Sequence, residues 1–313
     1  MVKTEEKKSL IDTLEGDKVR SNGLALPKKV ISEEEKQKLL EQQHEFYAFL
    51  PVLFEIVKEC KNRTIDFLSS KYSDKKFGVR YFYSRNVNYL KRHLESVGVS
   101  RGNKFLNVYR SNALLKNHAV RLYTYNPKER TSDPEYVEFD KNYFSLIESF
   151  DLTFDIDSPL KDTMDSYKIA KEVKFELDEY KVPYYVKNSG SKGFHFVIPA
   201  QYMPNISVSE LINMINKVVT NFREIHMIKQ YIDLSVLNPK GLLKCAYSFD
   251  SSSGCVSLPL NDYEFDNFSV EKTKMDYVLK NVHLMNRGLK MHTHNLSEEQ
   301  LKDNLKRFLE EYK

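Results

Sequence analysis

Residues 186–200 read "VKNSGSKGFHFVIPA" and hold Gly190 and Gly193, two of the ten glycines in the 313-residue chain, with Lys192 between them. The flanks, "VPYYVK" (182–187) and "FHFVIP" (194–199), are rich in β-branched and aromatic residues and predict two strands. The glycine turn therefore joins a hairpin. It presents Ser189, Ser191, Lys192 and a set of backbone amides at one end, with His195 inside the second strand.

Working outward, "SFDLTFDID" (149–157) predicts a strand, and "TMDSYKIAKEVKFELDEYK" (163–181) places Met164, Tyr167, Ala170, Val173, Leu177 and Tyr180 at helical spacing. After the hairpin, "SVSELINMINKVVTNFREIH" (207–226) predicts an amphipathic helix and "KQYIDLSV" (229–236) a further strand. The order β-α-β-β-α-β is the ferredoxin-like or RRM-like split unit, in which the first and third strands are central and the fourth lies on the free side of the first. The fold class expected is α+β: an RRM-like core over 141–285, packed with an N-terminal helical and α+β module over 1–140 and closed by a C-terminal helix over 286–313. Within the N-terminal module, residues 1–30 read as a mobile lead-in and 32–68 as helix interrupted at Pro51. Short β-like runs, "FGVRYFYS", "NKFLNVYR" and "AVRLYTYN", then surround a helix near "NVNYLKRHLESVG", and "NPKERTSDPEY" predicts an exposed loop.

Composition sets the class of molecule. Hydrophobic residues make up 41% of the chain and aromatics 12%, enough for a core. No apolar run approaches the ~18 residues that a membrane span needs, and "MVKTEEKKSL" is too charged for a signal peptide, so an intracellular protein is expected. Three widely spaced cysteines, Cys60, Cys245 and Cys255, form neither a disulfide framework nor a zinc motif and are expected to be reduced. The net charge of +4 conceals a basic stretch. Residues 71–130 carry 14 Lys and Arg against 3 Asp and Glu, interleaved with tyrosine and phenylalanine. Cations for phosphates and rings for bases are what a nucleic-acid groove uses, and Arg80, Arg85 and Arg110 are the candidate contacts. A half-buried sheet with a solvated face would have the same composition.

Asp155 and Asp157 lie two apart on a predicted strand, so both side chains share one face while Phe154 and Ile156 point to the other. Two carboxylates this close repel unless a cation lies between them. Hard divalent ions take oxygen ligands and support nucleotidyl transfer. The predicted fold sets Asp233 and His195 on the strands flanking this pair, with the glycine turn opposite to hold a triphosphate through its amides, Lys192 and His195.

Three ordered motifs, "FDID", "SGSKGFH" and "YID" followed by "GLLKCAYSFDSSSGCVSLPL", resemble those of the archaeo-eukaryotic primase superfamily over residues 145–262. A looser likeness reaches "KKFGVRYF" and "FLNVYRS". The resemblance implies a DNA primase or primase-polymerase that makes primers for replication. Two Mg2+ or Mn2+ ions would be held by Asp155, Asp157 and Asp233, and nucleoside triphosphates gripped by Ser189, Ser191, Lys192, His195 and Lys244. It further implies a single-stranded DNA template, and allows a primase large subunit or a helicase as partner. Lys192 and Lys244 stand where Arg is common, which keeps charge and loses bidentate geometry. No zinc-binding stem is recognisable, and "AYSFDSSSG" replaces the usual stretch after the third motif. The polymerase domains of bacterial end-joining ligases resemble the same region, so gap filling is the alternative within enzymes. A non-catalytic RRM-like nucleic-acid-binding protein is the alternative outside them, and the clustered carboxylates argue against it.

Overall fold

The computed structural model describes residues 32–69, 78–82, 86–99, 106–116, 142–250, 252–281 and 289–313. By contacts the chain divides into Met1–Lys36 and Gln37–Lys313, and the fold below is that of the second unit. Its elements, in chain order, begin with helices α1 (Glu33–Ala48, which starts in the first unit) and α2 (Leu50–Glu59), then strands β1 (Ile65–Ser69) and β2 (Gly78–Phe82). Helix α3 (Val87–Val99) leads to β3 (Leu106–Ser111), β4 (Ala113–Leu115), β5 (Ile147–Phe150) and β6 (Leu152–Asp157). Helix α4 (Thr163–Glu179), the hairpin β7 (Tyr185–Asn188) and β8 (Gly193–Ile198), and helix α5 (Val208–Ile225) follow. Four short strands, β9 (Leu242–Lys244), β10 (Phe249–Asp250), β11 (Cys255–Val256) and β12 (Pro259–Leu260), precede helices α6 (Asp262–Asp266), α7 (Met275–Lys280) and α8 (Glu298–Tyr312).

The fold is α+β, and its core has the expected topology. One antiparallel sheet runs β12-β7-β8-β6, with Asp155 directly opposite His195 across β6 and β8. The expected fourth strand is reduced to a single bridge, Ile156 to Ile232, on the free side of β6. It goes no further because Asp233 turns its carboxylate onto the amide (2.8 Å) and hydroxyl (2.9 Å) of Ser235 and starts a 3-10 turn. Helix α4 is capped by Asp162, and α5 and α8 by capping boxes at Ser207 with Glu210 and Ser297 with Gln300. Their apolar faces bury Val173, Leu177, Ile215, Phe222, Leu305 and Phe308 against Phe154, Phe194 and Phe196. Met164, expected in that stripe, is exposed.

Three expectations along the chain change. Pro51 does not interrupt a helix; it sits in the first turn of α2, where its missing N–H costs nothing, and the break is at Phe49. "IDFL" (65–68), read as helix, lies in β1. "SFDLTFDID" is two strands parted at Asp151, because β5 pairs with β4 and β6 with β8. "AVRLYTYN" and "NPKERTSDPEY" lie outside the described residues.

A second antiparallel sheet has the order β2-β1-β3-β9. Strand β9 comes from the segment assigned by sequence to the core, yet it pairs with β3 (Tyr109 opposite Lys244). The second apolar cluster likewise joins Phe46, Leu53, Ile56 and Phe67 to Tyr247, Phe249, Val256 and Val278. Packing therefore crosses the linear division at 140, and α8 packs on the main core rather than standing apart.

A buried ionic cluster ties the two sheets together. The Glu59 carboxylate accepts from Arg110 Nε (3.0 Å), Lys187 Nζ (2.6 Å) and the Ala246 amide (2.6 Å). Arg110 also reaches Asp151 (3.0 Å) and the Tyr185 hydroxyl (2.6 Å), and Arg63 reaches Asp151 (2.7 Å). Arg110 is only 1% exposed. Its expected role as a phosphate contact is thus corrected: every donor of the guanidinium fork faces protein, because the residue sits at the junction of the sheets.

Burial pushes Glu59 up, but the Lys187 and Arg110 charges and the hydrogen bonds outweigh it, holding the carboxyl at about 2 against an ordinary 4.5. A depressed carboxylate contributes stability that is complete above the unfolded pKa and lost as pH falls toward the folded one. Between pH 5 and 2 the chain should therefore lose about 3 kcal/mol through this one group. Glu59→Gln should be less stable at pH 7 and should lose that part of the acid slope, as measured by urea denaturation across the pH range.

Candidate active site between the two sheets

The polar face of β6 and β8 is not the open face that the strand pattern alone suggests. The second sheet and the turn after β3 roof it: Thr153 Oγ1 donates to Asn112 Oδ1 at 3.4 Å, and Lys187 Nζ donates to the Lys244 carbonyl at 2.6 Å. Asp155 and Asp157 share this face as expected, since Phe154 and Ile156 are wholly buried on the helical side. Asp155 is nearly enclosed. His195 Nε2 lies 3.4 Å from its Oδ1, and Lys192 Nζ lies 2.7 Å from Asp157 Oδ2.

Burial, then the carboxylates of Asp157 and Asp233, push the Asp155 carboxyl well above its usual range, against the pull of Lys192 and Lys244. Asp233 reaches the site through its backbone, its amide donating to the Asp155 carbonyl at 2.9 Å. Among the described residues no group of three or more His, Cys, Asp or Glu side chains is arranged to hold a metal ion. The donor chemistry nevertheless suits one. Asp155 and Asp157 supply hard oxygens on one face, their mutual repulsion calls for a cation, and the cation now beside Asp157 is the Lys192 ammonium.

His195 differs from the charged phosphate ligand expected. Burial, with the positive Lys187, Lys244 and Arg110 nearby, pushes its pKa well below the usual value, so the ring is neutral here. Its Nδ1 is buried without a hydrogen-bond partner. Lys244 is also buried and pairs with Asp250, and its ammonium lies 6.0 Å from the Tyr109 ring centre. Lys192, with a side chain 38% exposed, is the accessible cation of the turn. Arg80 lies on β2, where its side chain is not among those described, and Arg85 lies outside the described residues.

The turn itself is built differently from a phosphate cradle. Ser189 Oγ accepts from the Gly193 amide (3.0 Å) and the Ser191 amide (3.3 Å), so its hydroxyl organises the loop. The Ser191 and Lys192 carbonyls accept from Thr163 Oγ1 (2.8 Å) and Ser166 Oγ (2.7 Å), which fixes the turn to the start of α4. Both glycines answer to protein backbone. Gly190 has φ +70°, and a Cβ there would meet the Ser257 nitrogen at 2.8 Å. A Cβ on Gly193 would stand 1.8 Å from the Ile156 carbonyl oxygen.

Sequence reasoning missed Glu59, Asp151, Lys187 and Asp250. One signal was present: Lys187 interrupts the apolar run "VPYYVK" at the position paired with His195, where an outward-facing strand residue would be unremarkable but an inward-facing one needs a partner. Two cavities lie apart from this site. One of about 450 Å³ is lined by residues including Lys174, Asp262 and His292, and one of about 260 Å³ by Tyr247, Leu260, Tyr263 and Phe268 among others. No helix among the described residues is long and apolar enough to cross a membrane.

Gly193→Ala should force β6 and β8 apart at the Asp157 end and cost about 1–3 kcal/mol or more, as overpacking does. Thermal unfolding of the variant checks this, and unchanged stability would mean the strand can yield there.

A family model for the LigD primase-polymerase domain matches residues 78–286, more than half of the chain. Among solved structures, the polymerase domain of Mycobacterium tuberculosis ligase D in complex with DNA is similar at a TM-score of 0.46 and 12% identity, covering 84% of this chain and 94% of that one. No curated protein matches the chain. With its two aspartates and basic turn inside the matched span, this chain belongs to the LigD primase-polymerase domain family, within the archaeo-eukaryotic primase superfamily.

Proposed function

We infer that this protein is a template-directed, divalent-metal-dependent DNA polymerase that extends existing ends and fills short gaps, as an end-joining polymerase does. The observation that carries the reading is the family match over 78–286, which spans the paired aspartates and the Lys192 turn. It favours the gap-filling alternative over primer synthesis for replication, because the matched family is named for the domain of a ligase. Asp155 and Asp157 would hold Mg2+ or Mn2+, with Asp233 joining if its carboxylate leaves Ser235. The chemistry such ions supply is neutralisation of the charge that develops on the transferring phosphate and its leaving group.

The chain's own residues have separate tasks. Lys192, paired with Asp157 in this state, is free to turn to a triphosphate once Asp157 is otherwise neutralised. Neutral His195 holds the Asp155 carboxylate in place and keeps water from one side of it. Lys244, shared with Asp250, lies beneath the Asp155 face and is the second cation proposed to contact the nucleotide's phosphates. Ser189 and the Ser191 amide shape the loop that presents Lys192. Arg80, Arg85 and the basic stretch around them are proposed to hold the DNA template, inside the cell.

The test offers labelled nucleotides and Mn2+ with two substrates: a duplex carrying a short gap, and an unprimed single strand. Gap filling should be efficient and unprimed synthesis weak; robust strand initiation with poor gap filling would return the primase reading. Replacing Asp155 and Asp157 together by Ala should lower synthesis by more than about 10²-fold, given the several kcal/mol a catalytic metal contributes. Thermal stability should change little, because relief of the carboxylate repulsion offsets loss of the partly exposed Asp157–Lys192 pair. Substantial residual synthesis would remove these residues from the reaction.

A further inference from the structure

Lys187 has no place in the reaction just described, yet it is a lysine with no exposure at all, on the strand next to His195. Its side chain shares the polar face of the sheet with His195 and Asp155, since cross-strand partners point the same way. The ammonium does not reach the site. It donates to Glu59 Oε1 and to the Lys244 carbonyl, each at 2.6 Å. The other Glu59 oxygen accepts from the Ala246 amide at 2.6 Å.

One ion pair thus grips the carbonyl at the end of β9 and an amide two residues further on. That stretch needs holding. Its ladder with β3 ends at Lys244, only the Cys245 amide continues onto Val108 (2.9 Å), and Tyr247 turns at φ +61°. The free carbonyl of Lys244 and free amide of Ala246 would otherwise be buried without partners. A buried pair like this is not needed for stability alone, since apolar residues of similar volume often serve as well.

Resting on the reading of Lys244 as a nucleotide contact, we propose that Lys187, with Glu59, is a positioning residue for nucleotide binding: the pair clamps residues 244–246 so that the Lys244 ammonium stays under the Asp155 face. Lys187 acts through Lys244 and touches no substrate. The clamp is built from three distant parts of the chain, the end of α2, β7 and β9, so it also sets the spacing of the two sheets at the site.

The test is a cycle of steady-state nucleotide kinetics on gapped DNA with Lys187→Met, Lys244→Met and both together. Lys187→Met leaves Glu59 short of a partner, so the charge-balanced Glu59→Gln/Lys187→Met variant is run in parallel, with thermal unfolding of each. Lys244→Met and Lys187→Met should each raise the nucleotide KM about tenfold or more, the size of a lost charge-assisted contact, with kcat changed far less. Adding Lys187→Met to Lys244→Met should raise KM no further. The proposal is overturned if a folded Lys187→Met or charge-balanced variant keeps the normal KM, or if the two KM effects multiply. Should Lys244→Met itself leave KM unchanged, the failure lies in the assignment of Lys244 to the nucleotide, and the inference falls with it; a normal KM confined to the Lys187 variants rejects the clamp alone.

Discussion

The carboxylate of Glu59, at the last turn of α2, is shared by Arg110 from β3, Lys187 from β7 and the amide of Ala246 beyond β9. Nothing else in the described chain draws so many separate elements onto one atom group. Arg110 extends the cluster to Asp151, and Asp151 to Arg63 and the Ala200 amide at 2.8 Å. Each charge is buried, so each would be costly alone, and removing one partner of such a group typically costs about 3–5 kcal/mol. Taken together, three cations share two carboxylates, with the Tyr185 hydroxyl among the acceptors. A cluster of this kind selects one arrangement of the sheets, because any slip leaves an ion without its partner.

That constraint explains why the polar face of β6 and β8 can be roofed without being dead space. The ionic cluster sets how the second sheet lies over this face, with Asp155 and His195 enclosed and Asp157 and Lys192 at the partly exposed end. The same charges set the local electrostatics. Burial, reinforced by the positive Lys187, Lys244 and Arg110, keeps His195 neutral, while Asp155 is raised by burial and by its fellow aspartates. The site is poised with excess negative charge at the strand end and one accessible lysine beside it.

The glycine turn illustrates how a motif can be correct in place and different in cause. Gly190 and Gly193 suggested backbone approaching phosphate. In the structure both positions are set by backbone approaching backbone, Ser257 in one case and Ile156 in the other. The turn must be tight against β6 and the β11 region before it can hold Lys192 beside Asp157. Its serine hydroxyl is likewise consumed by the loop's own amides. What faces outward for chemistry is a single lysine on a rigid support.

Local pattern carried most of the fold. Strand alternation placed Asp155 and Asp157 on one face, helical spacing and amphipathicity marked α4 and α5, and the resulting β-α-β-β-α-β order implied which strands are neighbours. These features depend on residues within one or two turns of each other, so a single sequence reveals them. Other features depend on partners far away in the chain: Glu59 and Lys187 are 128 residues apart, Arg63 and Asp151 88. An arginine in a basic, aromatic stretch looks the same whether it meets a phosphate or a buried carboxylate, and so Arg110 was misplaced while its strand was not. The aspartate pair was legible because the strand's own geometry brings its two members together; the clamp on Lys244, the roof over the site and the reason for each glycine were settled only when the chain closed on itself, because a buried charge or a close backbone contact is defined by what packs against it.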